Sequence, residues 1–216
     1  AGLLRDAAAL DLDDYFEFSV ERASAEDDLD GGGERWAVDA VVAGRPFERV
    51  AIDIGFGEPV LEPETVASSD LLAFAGLPPT TVRTIAIEQH VAEKLHAYTR
   101  TYARGRSSSR VKDLVDLAVI AHTSELDARR LRISIDAIFT RRGTHPVPDA
   151  VPPPPADWAR PWGAMAAHVP AADALADGYT VVAAMLDPIL AGTVVSGAWK
   201  PLAAIWSELS ADGPSV

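Results

Sequence analysis

The chain has 216 residues, 48% of them hydrophobic and 24% charged, an ordinary globular composition with room for one large domain or two small ones. It contains no cysteine, which excludes a disulfide scaffold, a thiolate zinc site and a thiol nucleophile. A formal net charge of -13 argues against a protein that coats nucleic acid, because such binding is driven by counterion release from a positive surface.

Residues Leu3 to Leu10 read as a helix, too short and too charged at Arg5 and Asp6 for a signal peptide. Nowhere do about 18 apolar residues run without interruption, so the expectation is a cytoplasmic chain with no membrane partner. Tyr15 to Val20, Trp36 to Val42 and Phe47 to Phe56 carry the alternation and β-branched content of three strands. The acidic, glycine-rich stretch Ser24 to Gly33 separates the first two, and Ala43-Gly44-Arg45-Pro46 the next two; short connections predict an antiparallel meander. Gly31-Gly32-Gly33 precedes a strand, so it reads as a loop and not as a phosphate cradle.

From Ile85 the period changes to that of helices. Ile87, Val91, Leu95 and Tyr98 form one stripe; after the break at Ser107-Ser108-Ser109, Leu114, Leu117, Val119 and Ile120 form another, with Ser109 the expected N-cap. Asp127 to Phe139 predicts a third helix ending at Arg141-Arg142-Gly143, and Pro146 to Pro161 a strap. Val181 to Val195, cut by Asp187, Pro188 and Gly192, reads as a buried helix and turn. The organisation expected is a strand-rich part over 1–84, a helical part over 85–145, the strap over 146–161 and a C-terminal helical part over 162–216, an α+β fold with an antiparallel sheet.

The charge is uneven. Between Arg83 and Arg142 there are 12 Lys and Arg against 7 Asp and Glu, a local balance of +5 that leaves -18 for the rest. One basic module in an acidic protein suits a confined phosphate group better than broad nucleic-acid binding.

Lysine is rare, only Lys94, Lys112 and Lys200. At about 100° per residue Lys94 falls inside the stripe of Ile87, Val91 and Tyr98, where its ammonium needs a partner; it is either a snorkelling or carboxylate-paired structural lysine or a functional one. Asp113 and Asp116, spaced i, i+3, share a face with Leu117 and Ile120, against the alternative that Asp116 simply pairs with Lys112. Asp53, between Ile52 and Ile54, turns to the opposite face of its strand. His90 and His96 lack the i, i+4 spacing of a zinc pair and read as ordinary polar residues, while Ser107 to Ser109 have no histidine and base nearby in sequence, which leaves a serine hydrolase unsupported.

The run Ile87-Glu88-Gln89-His90-Val91-Ala92-Glu93-Lys94-Leu95-His96-Ala97-Tyr98, followed by Arg100 and then Ser109-Arg110-Val111-Lys112-Asp113-Leu114-Val115-Asp116-Leu117, is similar to the later motifs of the AbiEii/AbiGii nucleotidyltransferase-like toxins of toxin–antitoxin systems. Asp53-Ile54-Gly55-Phe56-Gly57-Glu58 and Arg141-Arg142-Gly143-Thr144-His145-Pro146 extend the resemblance, which spans roughly Tyr15 to Trp162. It implies a polymerase-β-like nucleotidyltransferase palm packed with a helical C-terminal part, an enzyme that uses Mg²⁺ and an NTP to modify tRNA and that is held in check by a cognate antitoxin. By the same resemblance, Lys94 meets the NTP phosphates, Asp116 or Asp113 is the essential carboxylate, and Arg100, Arg110 and Lys112 hold triphosphate or RNA; Asp53 is the candidate metal ligand.

The chain departs from the family where a glycine turn, an arginine and a D-x-D strand should precede Tyr15. Asp11-Leu12-Asp13 has the letters without the turn and follows a helix-like segment. An alternative is therefore carried: a truncated or catalytically impaired member that binds nucleotide, RNA or the antitoxin.

Overall fold

The computed structural model describes residues 2–23, 33–55, 57, 59–71, 73–76, 78–100, 110–167 and 174–207. The Gly31-Gly32 pair and most of the acidic link before it, the serine break with its N-cap candidate Ser109, and Arg104 and Arg106 lie outside these residues. The fold is α+β, with antiparallel sheets and six α-helices among the described residues, and the chain divides into two compact units, Ala1–Glu58 and Pro59–Val216.

The first unit opens with a short helix, α1 (Gly2–Ala8), followed by β1 (Phe16–Arg22), β2 (Gly33–Val42) and β3 (Arg45–Gly55) in an antiparallel meander of that order. The turn between β2 and β3 is the two-residue Ala43-Gly44, both at positive φ (46° and 74°), the backbone twist a tight hairpin requires. Pro46 is accommodated on β3, an edge strand, where the register shifts at Ala40/Val41. Because side chains alternate, the register puts Val20, Val38 and Val50 on one face together with Trp36 and Ile52. Trp36 is buried there, with the Arg5 guanidinium 5.1 Å from its ring centroid.

The second unit begins with the hairpin β4 (Glu64–Ala67) and β5 (Thr81–Thr84), strands too short and polar to stand out by period. Then follow α2 (Ile87–Thr99), α3 (Val111–Thr123), the two-residue strand β6 (Leu126–Asp127) and α4 (Ala128–Arg142). Beyond these are α5 (Ala159–Ala166), α6 (Leu175–Leu190), β7 (Ala198–Lys200) and β8 (Ile205–Ser207). Strands β6, β7 and β8 form a small antiparallel sheet.

The helix ends follow their local chemistry. The Asp127 side chain accepts from the Arg130 backbone N–H and caps α4, and Gly143 at φ 58° closes it, its N–H donating to the Phe139 carbonyl. The residue preceding α3 is Arg110, whose side chain makes no capping bond. The proline strap ends earlier than its prolines suggest: α5 starts at Ala159 and carries Pro161 in its first turn, where no intrahelical N–H is needed.

Leu95, Leu114, Leu117, Leu131, Ile135, Ile138, Met185 and Leu186 fill the core of this unit between α2, α3, α4 and α6. Trp199 of β7 is fully buried and donates its indole N–H to the Ala121 carbonyl. Glu88, buried at the start of α2, accepts from the Asp127 N–H (3.1 Å) and from Arg130 Nε (3.2 Å), and Arg130 also pairs with Glu64. These bonds tie α2 to the entry of α4 and set the position of the helix that carries Lys94.

Candidate functional site

Lys94 projects from α2 toward α3, as its place in the apolar stripe requires. Its Nζ lies 3.2 Å from Asp113 Oδ1 and 2.6 Å from Asp116 Oδ2, so the i, i+3 carboxylates of α3 close on one ammonium. Asp116 thus pairs with Lys94 and not with Lys112, which is exposed on α3. Burial alone pulls the Lys94 pKa down, but the carboxylates of Asp116 and Asp113 outweigh it and hold the value above the usual 10.5, so the ammonium stays charged.

Asp113 is the buried partner, 4% exposed. Among the described residues its Oδ2, out of solvent, has no hydrogen-bond partner, although Arg110 Nη1 approaches to 3.5 Å as an ion pair. His90, one turn before Lys94, is half-buried; burial and then the Lys94 charge hold its imidazole below its ordinary pKa. Arg100 follows the last residue of α2 and is partly exposed. A lysine ammonium has three N–H donors, and two are engaged by the carboxylates. The third has no partner among the described residues and, with the Lys94 side chain 20% exposed, can donate to an anionic ligand.

The other candidates are placed differently. Asp53 belongs to the first unit, on the polar face of β3, where Arg35 grips it through Nε to Oδ1 (2.6 Å) and Nη2 to Oδ2 (2.9 Å). That hydrogen-bonded fork lowers the Asp53 pKa. Asp11 accepts from the Asp13 N–H within a bend ahead of β1, so the D-x-D letters do not lie on a strand.

These side chains do not fit a magnesium ion. Mg²⁺ needs a near-octahedral set of oxygens at about 2.0–2.1 Å, whereas Asp113 and Asp116 are held by the Lys94 ammonium and Asp53 by Arg35. Among the described residues no group of three or more His, Cys, Asp or Glu side chains could hold a metal ion.

The histidines correct the reading of His96 as an ordinary polar residue. It is 3% exposed, edge-on to Phe139, and joined through Thr144 to His145 in a chain of hydrogen bonds ending at Thr99. The available signal was its spacing of one, three and four residues from Leu95, Thr99 and Ala92 on the inner face of α2.

The model of the nucleotidyl transferase AbiEii toxin family, of type IV toxin–antitoxin systems, matches residues 1–185. The chain belongs to the AbiEii family. It is accordingly a nucleotidyltransferase-like toxin of a toxin–antitoxin system, for which the family implies an NTP substrate and an antitoxin partner. No curated protein matches the chain. None of the described helices of this AbiEii member is long and apolar enough to cross a membrane.

Proposed function

We propose that this AbiEii toxin transfers a nucleotide from an NTP to tRNA, with Lys94 binding the NTP phosphates and Asp113 and Asp116 as the essential carboxylates that orient it. Arg100, Arg110 and Lys112 add positive charge for the triphosphate or for RNA. The observation that supports the reading is the Lys94 ammonium held charged between two carboxylates with one donor to spare. In nucleotidyl transfer nearly all of the protein's contribution is positioning and charge placement, and a lysine locked in orientation costs little reorganisation when it meets a phosphate.

The test is incorporation of α-³²P-labelled NTPs into tRNA in magnesium-containing buffer by the wild-type chain, Lys94→Met and Asp116→Asn. Loss of incorporation by about 100-fold or more in both variants, with folding retained, is the expected result. Unchanged incorporation in Lys94→Met refutes the assignment. Nucleotide or tRNA binding by the wild type with no transfer supports the other reading, a binding module.

A further inference from the structure

Thr144, two residues beyond the end of α4, is exposed, yet its hydroxyl is held by two imidazoles. His96 Nε2 is 2.8 Å and His145 Nδ1 2.9 Å from Thr144 Oγ1, and His145 Nε2 is 2.8 Å from Thr99 Oγ1. Proton directions along this chain are forced from one end. Thr99 donates its single hydroxyl proton to the Leu95 carbonyl (2.9 Å), so it must accept from His145 Nε2–H. A neutral His145 then has a bare Nδ1, which can only accept, so Thr144 donates to it. Thr144 in turn accepts from His96 Nε2–H.

Both rings are kept neutral. Burial first, then His145, Arg142 and Arg100, press the His96 pKa down to about 4, and burial followed by Arg100 lowers that of His145. The result is a hydroxyl on an exposed residue whose proton is aimed at an unprotonated imidazole nitrogen, while the far side of that imidazole is fixed by a threonine anchored to helix backbone. This is the nucleophile, base and orienting-group relationship of covalent catalysis, here in residues that the Lys94 site does not use.

We infer that Thr144 is a nucleophilic hydroxyl with His145 as its general base, and that it accepts a nucleotidyl group from an NTP held by a second copy of the chain. The donor part rests on the proposed NTP-dependent transfer. Lys94 reaches α3 whereas His96, two residues on and about 200° around the helix, reaches the segment after α4, so a nucleotide at Lys94 lies across α2 from Thr144. Transfer therefore runs between copies. Thr144 Oγ1 bonds to the α-phosphorus, the bond from that phosphorus to the bridging oxygen of the β-phosphate breaks, and pyrophosphate leaves with the electron pair. The hydroxyl proton passes to His145 Nδ1. The product is a phosphodiester in which the former α-phosphate joins Thr144 Oγ1 to the nucleoside.

The experiment incubates the full chain with each NTP in magnesium-containing buffer, labelled at the α- or the γ-phosphate, and reads intact mass, peptide mapping and initial rate. One nucleotidyl adduct on Thr144 is expected, from α-label only, at a rate rising with the square of protein concentration. Thr144→Ser keeps the adduct, Thr144→Val abolishes it, and His145→Gln slows it by about 100-fold or more; melting curves establish that each variant is folded. No adduct, an adduct elsewhere, γ-label on Thr144, or a His145→Gln rate equal to wild type overturns the inference, and a rate linear in protein overturns transfer between copies. The tRNA assay separates this from the proposed function. tRNA labelling without Thr144 modification sinks the inference alone, and Thr144 modification without tRNA labelling sinks the tRNA reading alone.

Discussion

The Lys94 ammonium of α2 lies 2.6 Å from the Asp116 carboxylate of α3, and the same ammonium reaches the buried Asp113 at 3.2 Å. The pair is structural and chemical at once. Replacing Lys94 by Met leaves Asp113 out of solvent beside a second carboxylate one turn away, a loss of about 2 kcal/mol for partly buried groups. Urea unfolding checks it, with Asp113→Asn in the same background restoring part of the loss. Because the Lys94 pKa is raised, the wild-type contribution is fully present below 10.5 and disappears only as pH climbs through the higher folded value.

His96 gives the opposite sign. Its folded pKa of about 4 lies below the ordinary 6.5, so as pH falls the unfolded chain takes up the proton first. Stability owed to the neutral ring is present above 6.5 and is lost between 6.5 and about 4. Thermal midpoints measured across that window should fall more steeply for the wild type than for His96→Gln; parallel curves would show that the ring is not held neutral by the fold.

Gly178 of α6 is buried against the indole of Trp162. A Cβ added there would stand 2.2 Å from Trp162 Cζ2 and 2.3 Å from Cη2. Trp162 is 1% exposed and has nowhere to retreat. Gly178→Ala gains roughly 1 kcal/mol in helix propensity, and the clash outweighs it, so the expected outcome is a net loss of about 1–2 kcal/mol. Chemical denaturation of Gly178→Ala, alone and with Trp162→Phe, reads this, the second change relieving the first.

The strap is fastened by three side chains. The Val151 N–H donates to Asp187 Oδ1 (2.8 Å), Tyr98 donates to the Pro152 carbonyl (2.6 Å) and Tyr179 to the Val151 carbonyl (3.0 Å). Asp187→Ala strands a backbone donor and removes a charged acceptor, at a cost of about 2 kcal/mol, while Tyr98→Phe costs about 1 kcal/mol. Faster limited proteolysis within 146–155 in Asp187→Ala, with a lowered melting midpoint, is the expected observation.

Charge reversal at Arg104, Arg106 and Arg110, within the +5 segment, should weaken tRNA binding by about tenfold or more at low salt and flatten its salt dependence, because an acidic chain attracts RNA only through its cationic segment. Titrations at two salt concentrations decide it; unchanged affinity at low salt would remove these arginines from the recognition surface.

Much of the architecture is local and therefore legible in the residue pattern. Val50, Ile52 and Ile54 alternate, Ala43-Gly44 turns, and the stripe Val91, Leu95, Tyr98 repeats at helical period, so the meander, α2, α3, α4 and the glycine end of α4 follow from spacing. The need of Lys94 for an anionic partner was equally a matter of period. Tertiary structure alone decided which partner. Lys94 and Asp113 are 19 residues apart, and the short strands β4, β5, β7 and β8, of three or four residues, have too little periodicity to declare themselves. The chain from His96 to Thr144 spans 48 residues and exists only because α4 returns along α2. A hydrophobic period specifies which face is buried, but the hydrogen-bond partner of a polar group on that face is chosen by whichever distant backbone the packing delivers to it.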